Sequence, residues 1–185
     1  MSMIDYTTFT EVISRCHTIL DEIFLIHQEA ILSGRFKDAT GIFNSYRQLH
    51  DFHKSFEDEN LIPKFNELGN HGRWPASMYM VEHDKIRDLL EKTEKYLLEL
   101  CETRLEGRNL RRNIIAFLDR EKTLKGYCEH HQDREENGLL PELDRMADSK
   151  WRADIIGSFI EDWEKSVKQH MDSINKLGIT GNLSG

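Results

Sequence analysis

Two short blocks of the chain carry the same reactive residues at the same spacing. His53, Glu57, Asp58, Leu61, Ile62 and Pro63 recur in register as His131, Glu135, Glu136, Leu139, Leu140 and Pro141. Four residues turn a helix through about 400°, so each histidine and its glutamate lie one turn apart on one face. One His-x-x-x-Glu alone reads better as a solvated i,i+4 pair. Two copies with the same aliphatic–proline tail read as a site. His27 and His83 add an imidazole each, at positions where an apolar helix stripe calls for a core residue. A buried polar group without a partner costs ~1–3 kcal/mol, and a shared metal supplies one partner to every imidazole. The inventory is four imidazoles and two carboxylates, and nitrogen–oxygen donors without thiolate suit iron, manganese or zinc. If Glu57 and Glu135 each bridge, two metals receive two histidines and two carboxylate oxygens apiece. Positions would remain open on both, as a reactive site requires.

The elements that must position these groups are helices. Apolar residues recur at alternating steps of three and four, and the β-branched runs of strands are missing. The stripes read Phe9, Ile13, Cys16, Leu20, Ile23, His27; then Ile42, Tyr46, Leu49, His53, Phe56; then Tyr79, His83, Ile86, Leu90. A fourth runs Leu110, Ile114, Phe117, Leu124, Cys128, His131, Glu135, and a fifth covers Trp151 to Leu177. Short connections make neighbours antiparallel. The pattern predicts an all-α fold, an antiparallel four-helix bundle with an additional C-terminal helix. One domain is expected over residues 1–177, with a flexible tail over 178–185. Pro63 and Pro141 are expected to kink their helices near the bundle end.

Composition narrows the setting. The chain has 185 residues, 38% hydrophobic and 31% charged, which fits one domain with a sizeable core. Its 25 Lys+Arg against 33 Asp+Glu leave a formal charge of −8, which repels nucleic-acid backbones. No apolar run approaches the ~18–20 residues of a membrane span. The first residues lack a secretory pattern, and three scattered cysteines read as reduced thiols, so a cytoplasmic protein is expected.

At these residues the sequence resembles the hemerythrin-like family, the HHE cation-binding domains. The motifs are His27, the His53–Glu57–Leu61-Ile62-Pro63 block, Glu82-His83, and the His131–Glu135–Leu139-Leu140-Pro141 block, spanning roughly residues 10 to 147. The resemblance implies a helical bundle holding a non-haem di-iron centre of the Fe–O–Fe type. By it, Glu57 and Glu135 are the bridging carboxylates, with His27 and His53 on one iron and His83 and His131 on the other. Ligand type alone also admits zinc or manganese. Oxygen carriers of the family have a fifth histidine one turn before the third-helix ligand, and this chain has Tyr79 there. Tyr79 fills that space, ligates weakly, or hydrogen-bonds an oxygen held by the metals. The pattern is closer to the iron-sulfur-cluster repair proteins of the family, although no N-terminal cysteine-containing module precedes the bundle.

The remaining polar residues are assigned plainer roles. His50 either supports a ligand or lies on the surface, His130 faces solvent or lies between helices, and His17, His71 and His170 are surface or packing residues. Asp58 and Glu136 are expected to accept from the free N–H of neighbouring histidines. Cys128 packs, Tyr46, Phe56 and Tyr127 wall the site, and Glu121 has no assigned role. The functional expectation is a di-iron protein that binds or reacts with O2, NO or peroxide in sensing, storage or stress defence. Iron-sulfur-cluster repair or iron donation, with an iron-sulfur protein as partner, is the alternative, and a metal-free helical interaction module is another. No substrate pocket is legible, so the sequence does not decide whether the protein is an enzyme.

Overall fold

The three-and-four spacing of apolar residues becomes helix throughout. The computed structural model describes residues 6–69, 72–102 and 106–178, and His71 and tail residues 179–185 lie outside the described residues. The fold is all-α, with no strand among the described residues. The elements are α1 (Phe9–Leu32), α2 (Phe36–Phe56), α3 (Ile62–Glu67), α4 (Ala76–Glu102), α5 (Gly107–Arg134), α6 (Leu140–Met146) and α7 (Ser149–Asn175). Thr8 and Glu11 close a reciprocal capping box at the start of α1. Gly34, with φ 70°, reverses the chain between α1 and α2 in the left-handed region that favours glycine.

The helices meet in a ring: α1 lies on α2, α2 on α4, α4 on α5, and α5 returns to α1. Helix α7 covers α2 and α1. Between them Phe9, Ile13, Leu20, Ile23, Ile42, Leu49, Ile86, Leu90 and Leu124 are buried. On the outer side of α2, Phe56 stacks on Phe159 with ring centroids 4.0 Å apart, and Trp163 is 2% exposed. Among the described residues no helix is long and apolar enough to cross a membrane.

At the two prolines the helix geometry changes locally. The helix does not break at Pro63 or Pro141. A single π turn, Glu57–Leu61, joins α2 to α3, and another, Glu135–Leu139, joins α5 to α6. The N–H of Ile62 donates to the Glu57 carbonyl, and that of Leu140 to the Glu135 carbonyl. Each bond spans five residues instead of four. Proline cannot donate to the carbonyl four residues back and its ring crowds that group, so widening the turn just before it removes the conflict. The next helix then starts with proline in its first turn, where no N–H is needed. Both π turns begin at the glutamates of the repeat. After the added residue, Leu61, Ile62 and Phe65, and likewise Leu139, Leu140 and Leu143, still point inward. Asp144 on α6 accepts from the N–H groups of Phe9 and Thr10 at 2.7 and 3.0 Å, tying the second tail to the start of α1.

Candidate metal centre

Four helices bring six side chains to one buried point. α1 supplies His17, α2 His53 with Glu57 just beyond it, α4 His83, and α5 His131 with Glu135 just beyond it. All six are buried, both glutamates completely. They form two groups of four that can hold a metal ion, His17–His53–Glu57–Glu135 and Glu57–His83–His131–Glu135, and the two share their carboxylates. Within each group the ligand atoms lie within 4.8 Å of one another.

Proton positions follow from the outer partners. His17 Nδ1 lies 2.8 Å from Glu136, His83 Nδ1 2.6 Å from Asp58, and His131 Nδ1 3.0 Å from Glu82. A carboxylate only accepts, so each Nδ1 carries the hydrogen and donates it. In the neutral ring this leaves Nε2 a bare lone pair, and every Nε2 faces inward. Glu57 meets His53 through Oε1 and His83 through Oε2, both at 3.3 Å. Glu135 meets His17 through Oε2 at 3.2 Å and His131 through Oε1 at 3.0 Å. His83 and His131 bring their Nε2 atoms 2.9 Å from each other. At His17, His83 and His131 lone pairs thus confront lone pairs in the neutral rings, and all four carboxylate oxygens of Glu57 and Glu135 are buried without a hydrogen-bond partner. These contacts fit a cation between the atoms. Two ligands about 2.1 Å from one metal at a right angle lie about 3.0 Å apart.

Charge says the same. Five carboxylates (Glu57, Asp58, Glu82, Glu135 and Glu136) surround the four imidazoles, and two cations answer them. Lys54 pairs with Asp58 at 2.6 Å, and Arg134 pairs with Glu82. With no cation at the centre, the carboxylates can be balanced only by protons. Burial alone would lower His17, but the facing carboxylates of Glu135 and Glu136 outweigh that and raise it to about 10. Burial is likewise outweighed at His83, where Asp58, Glu135 and Glu57 raise the imidazole to about 11. Burial, then the Glu135 charge, pushes Glu57 up to about 7. Burial works against ionisation of Glu135 too, but His131, His17 and His83 hold it well below the usual range. Protons and metal ions therefore compete for one set of lone pairs.

The structure brings together His53, Glu57, His83, His131 and Glu135, and places His27 elsewhere. His27 Nε2 is 2.7 Å from Glu121, and its Nδ1 is 2.9 Å from the Ala39 carbonyl. Gln28 donates to the other Glu121 oxygen at 3.0 Å. Both ring nitrogens of His27 are thus engaged away from the cluster, and Glu121, the unassigned carboxylate, is its partner. His17, read as a surface or packing residue, takes the α1 place, with its ring 5.0 Å from that of His53. The short α1–α2 connection contains the signal for this. Two helices reversed about Gly34 place residues opposite when their numbers add to roughly 70. Phe24 meets Tyr46 and His17 meets His53 on this rule, whereas His27 falls beside Ala39.

Other assignments also meet the structure. Asp58 and Glu136 each accept from a histidine N–H, but Glu136 serves His17. His50 is buried rather than superficial, at 6% exposure, and its Nδ1 has no partner. Tyr79 is wholly buried, and its hydroxyl donates to the Arg134 carbonyl at 3.4 Å. Burial and the Glu135 charge raise that phenol to about 12. Burial raises the Cys128 thiol to about 12, the state of a packing residue. His130 is exposed and His170 half-buried.

The comparisons with known proteins return nothing: no protein-family model, curated protein or solved structure matches the chain.

Proposed function

We propose that the protein is a hemerythrin-like, non-haem di-iron protein that binds or reacts with a small ligand such as O2, NO or peroxide. In this reading α1, α2, α4 and α5 are an antiparallel four-helix bundle and α7 is the additional C-terminal helix. Glu57 and Glu135 would be shared between two irons, with His17 and His53 holding one and His83 and His131 the other. The observation that carries the reading is the sharing of carboxylates. Each glutamate turns one oxygen to one imidazole pair and the other oxygen to the second pair. A metal-free interaction module would instead have to bury two carboxylates whose only facing donors are imidazoles that must take up protons to serve them. Nitrogen and oxygen donors of this mix suit iron, and an iron pair with open positions supplies one-electron chemistry to a small ligand.

The chain's own part is to hold and orient. Asp58, Glu82 and Glu136 fix three imidazoles with Nε2 inward and raise their basicity as ligands. The aromatic cover of Phe56, Phe159 and Trp163 keeps water from the α2 side. Tyr79 in place of a fifth histidine favours reaction or metal exchange over simple oxygen carriage. The iron-donor reading shares this site and differs in expecting ready loss of metal to an iron-sulfur protein.

The test is metal content and absorption after anaerobic ferrous loading and exposure to air. About two irons per chain with a near-ultraviolet charge-transfer band are expected, and almost none in the Glu57→Ala, Glu135→Ala double variant. Full loading of that double variant would overturn the assignment. Zinc or manganese retained in preference to iron would overturn the choice of metal alone.

A further inference from the structure

The seam between α1 and α5 opens into a groove of about 380 Å³. Its rim is polar, with Asp21, Gln28 and Lys125 among its residues, and Leu25 stands at its mouth, 49% exposed. Its floor is made by two core residues. Tyr46 and Cys128 are 4% and 5% exposed, and the phenol and thiol meet at 3.6 Å.

The candidate metal centre lies further along the same two helices. Cys128 is one helical turn before His131 on α5. On α2, Tyr46 is followed one turn later by His50 and two turns later by His53. The Tyr46 and His50 rings are 6.0 Å apart. His50 is close enough to feel His83, His131, Glu135 and His17, ligands from both groups. It is buried, its Nδ1 makes no hydrogen bond, and it belongs to neither group of four. Two other approaches are filled. Leu61, Leu139 and Tyr79 close the end beyond the glutamates, and Phe159 with Trp163 closes the α7 side.

Building on the di-metal reading, we propose that the α1/α5 groove is the route by which a small molecule of two to four atoms, able to accept or donate a hydrogen bond, reaches the metals. Tyr46 and Cys128 form its door, and His50 is the hydrogen-bonding group beside the position that molecule comes to occupy. The route needs no opening of the ring. A rotation of the Tyr46 or Cys128 side chain connects the groove to the space around His50. An unpartnered ring nitrogen there is explained if a small polar guest supplies its hydrogen bond.

The test is stopped-flow binding of azide to the iron-loaded, air-oxidised protein, with iron content measured for every variant. Leu25→Trp, at the exposed mouth, and Cys128→Phe, at the door, should slow azide association about tenfold with iron content unchanged. Cys128→Ala should speed it. Val81→Trp, on the exposed face of α4, should leave it as in the parent protein. His50→Leu should weaken azide binding about tenfold, mainly through faster release. Because Leu25→Trp leaves the core untouched, the test survives a Cys128→Phe variant that fails to fold. Parent rates in Leu25→Trp and Cys128→Ala would overturn the route, and parent azide affinity in His50→Leu would overturn the role of His50. A parent protein that takes up no iron would overturn the di-metal reading itself, before azide is added, and the route with it.

Discussion

His17 and His27 stand on one helix, both are buried, and both meet glutamates, yet their surroundings differ in kind. Around His27 the accounts close: one ring nitrogen meets Glu121, the other a backbone carbonyl, and Gln28 takes the second carboxylate oxygen. Phe24, Phe43 and Phe117 surround the pair. Around His17 they do not close. Its Nδ1 is held by Glu136, but its Nε2 faces Glu135 in a cluster where acceptors outnumber donors. A buried histidine on an apolar stripe is therefore no sign of a ligand by itself. The sign is a surplus of lone pairs that the protein's own hydrogens cannot satisfy.

The comparison breaks most sharply under alanine. His17→Ala should reduce metal loading to about one ion per chain, because one pole loses an imidazole while the other keeps both. His27→Ala should leave metal content at the parent value but destabilise the fold by about 3–5 kcal/mol, since Glu121 is then buried without its partner. Metal analysis and urea unfolding of the two variants separate these effects. Replacing His27 and Glu121 together with leucine should restore most of the stability, because a buried pair is often matched by apolar residues of similar volume. Metal loss in His27→Ala at intact stability would reverse the assignment of the two histidines.

That reversal is the one the sequence invites. Helix identity was legible from periodicity, and His53, Glu57, His131 and Glu135 from a repeat whose members lie on one stripe by construction. Periodicity gives the angle of a residue around a helix and nothing of its height along the bundle. His17 and His27 both lie on the broad buried face of α1, about 15 Å apart along its axis. Only the reversal at Gly34 sets which of them is level with His53. The π turns were hidden for a related reason. Pro63 and Pro141 announce a conflict in the helix, but a kink and a widened turn both resolve it. The glutamates that open each π turn look the same in either case.

Protons give a subtler way to separate the regions. In metal-free protein His17 and His83 have folded-state pKa values raised from 6.5 to about 10 and about 11. A raised imidazole stabilises the fold fully below its unfolded value, and the contribution is lost as pH rises through the folded value. The metal-free protein should therefore lose stability steadily between pH 7 and pH 9, read as a falling urea midpoint. The slope should persist in His27→Ala and shrink in His17→Ala. Metal must displace the same protons, so its affinity should rise over that window. A midpoint that is flat from pH 7 to 9 in metal-free protein would show that the cluster is not holding those protons.

The smallest effect concerns Tyr79, which lies one turn before His83, where its phenol has the choice of metals or backbone. Its hydroxyl donates to the Arg134 carbonyl as α5 enters its π turn, a long bond at 3.4 Å. Gly138 permits this approach: a Cβ there would fall 2.7 Å from the Tyr79 oxygen and 2.8 Å from the Trp74 ring. The contact belongs to the π turn that positions Glu135 and not to the ligand set. Tyr79→Phe should then cost about 1 kcal/mol or less and leave metal content and absorption unchanged. Gly138→Ala should cost more, about 1–3 kcal/mol, by forcing the phenol and indole apart. If removing the hydroxyl instead shifts the charge-transfer band while stability holds, the phenol serves the metals and the two ends of the site are not alike. The expected result makes Tyr79 a brace for the second π turn, the counterpart of which, at Asn60, is held from within its own helix by a bond to the Phe56 carbonyl.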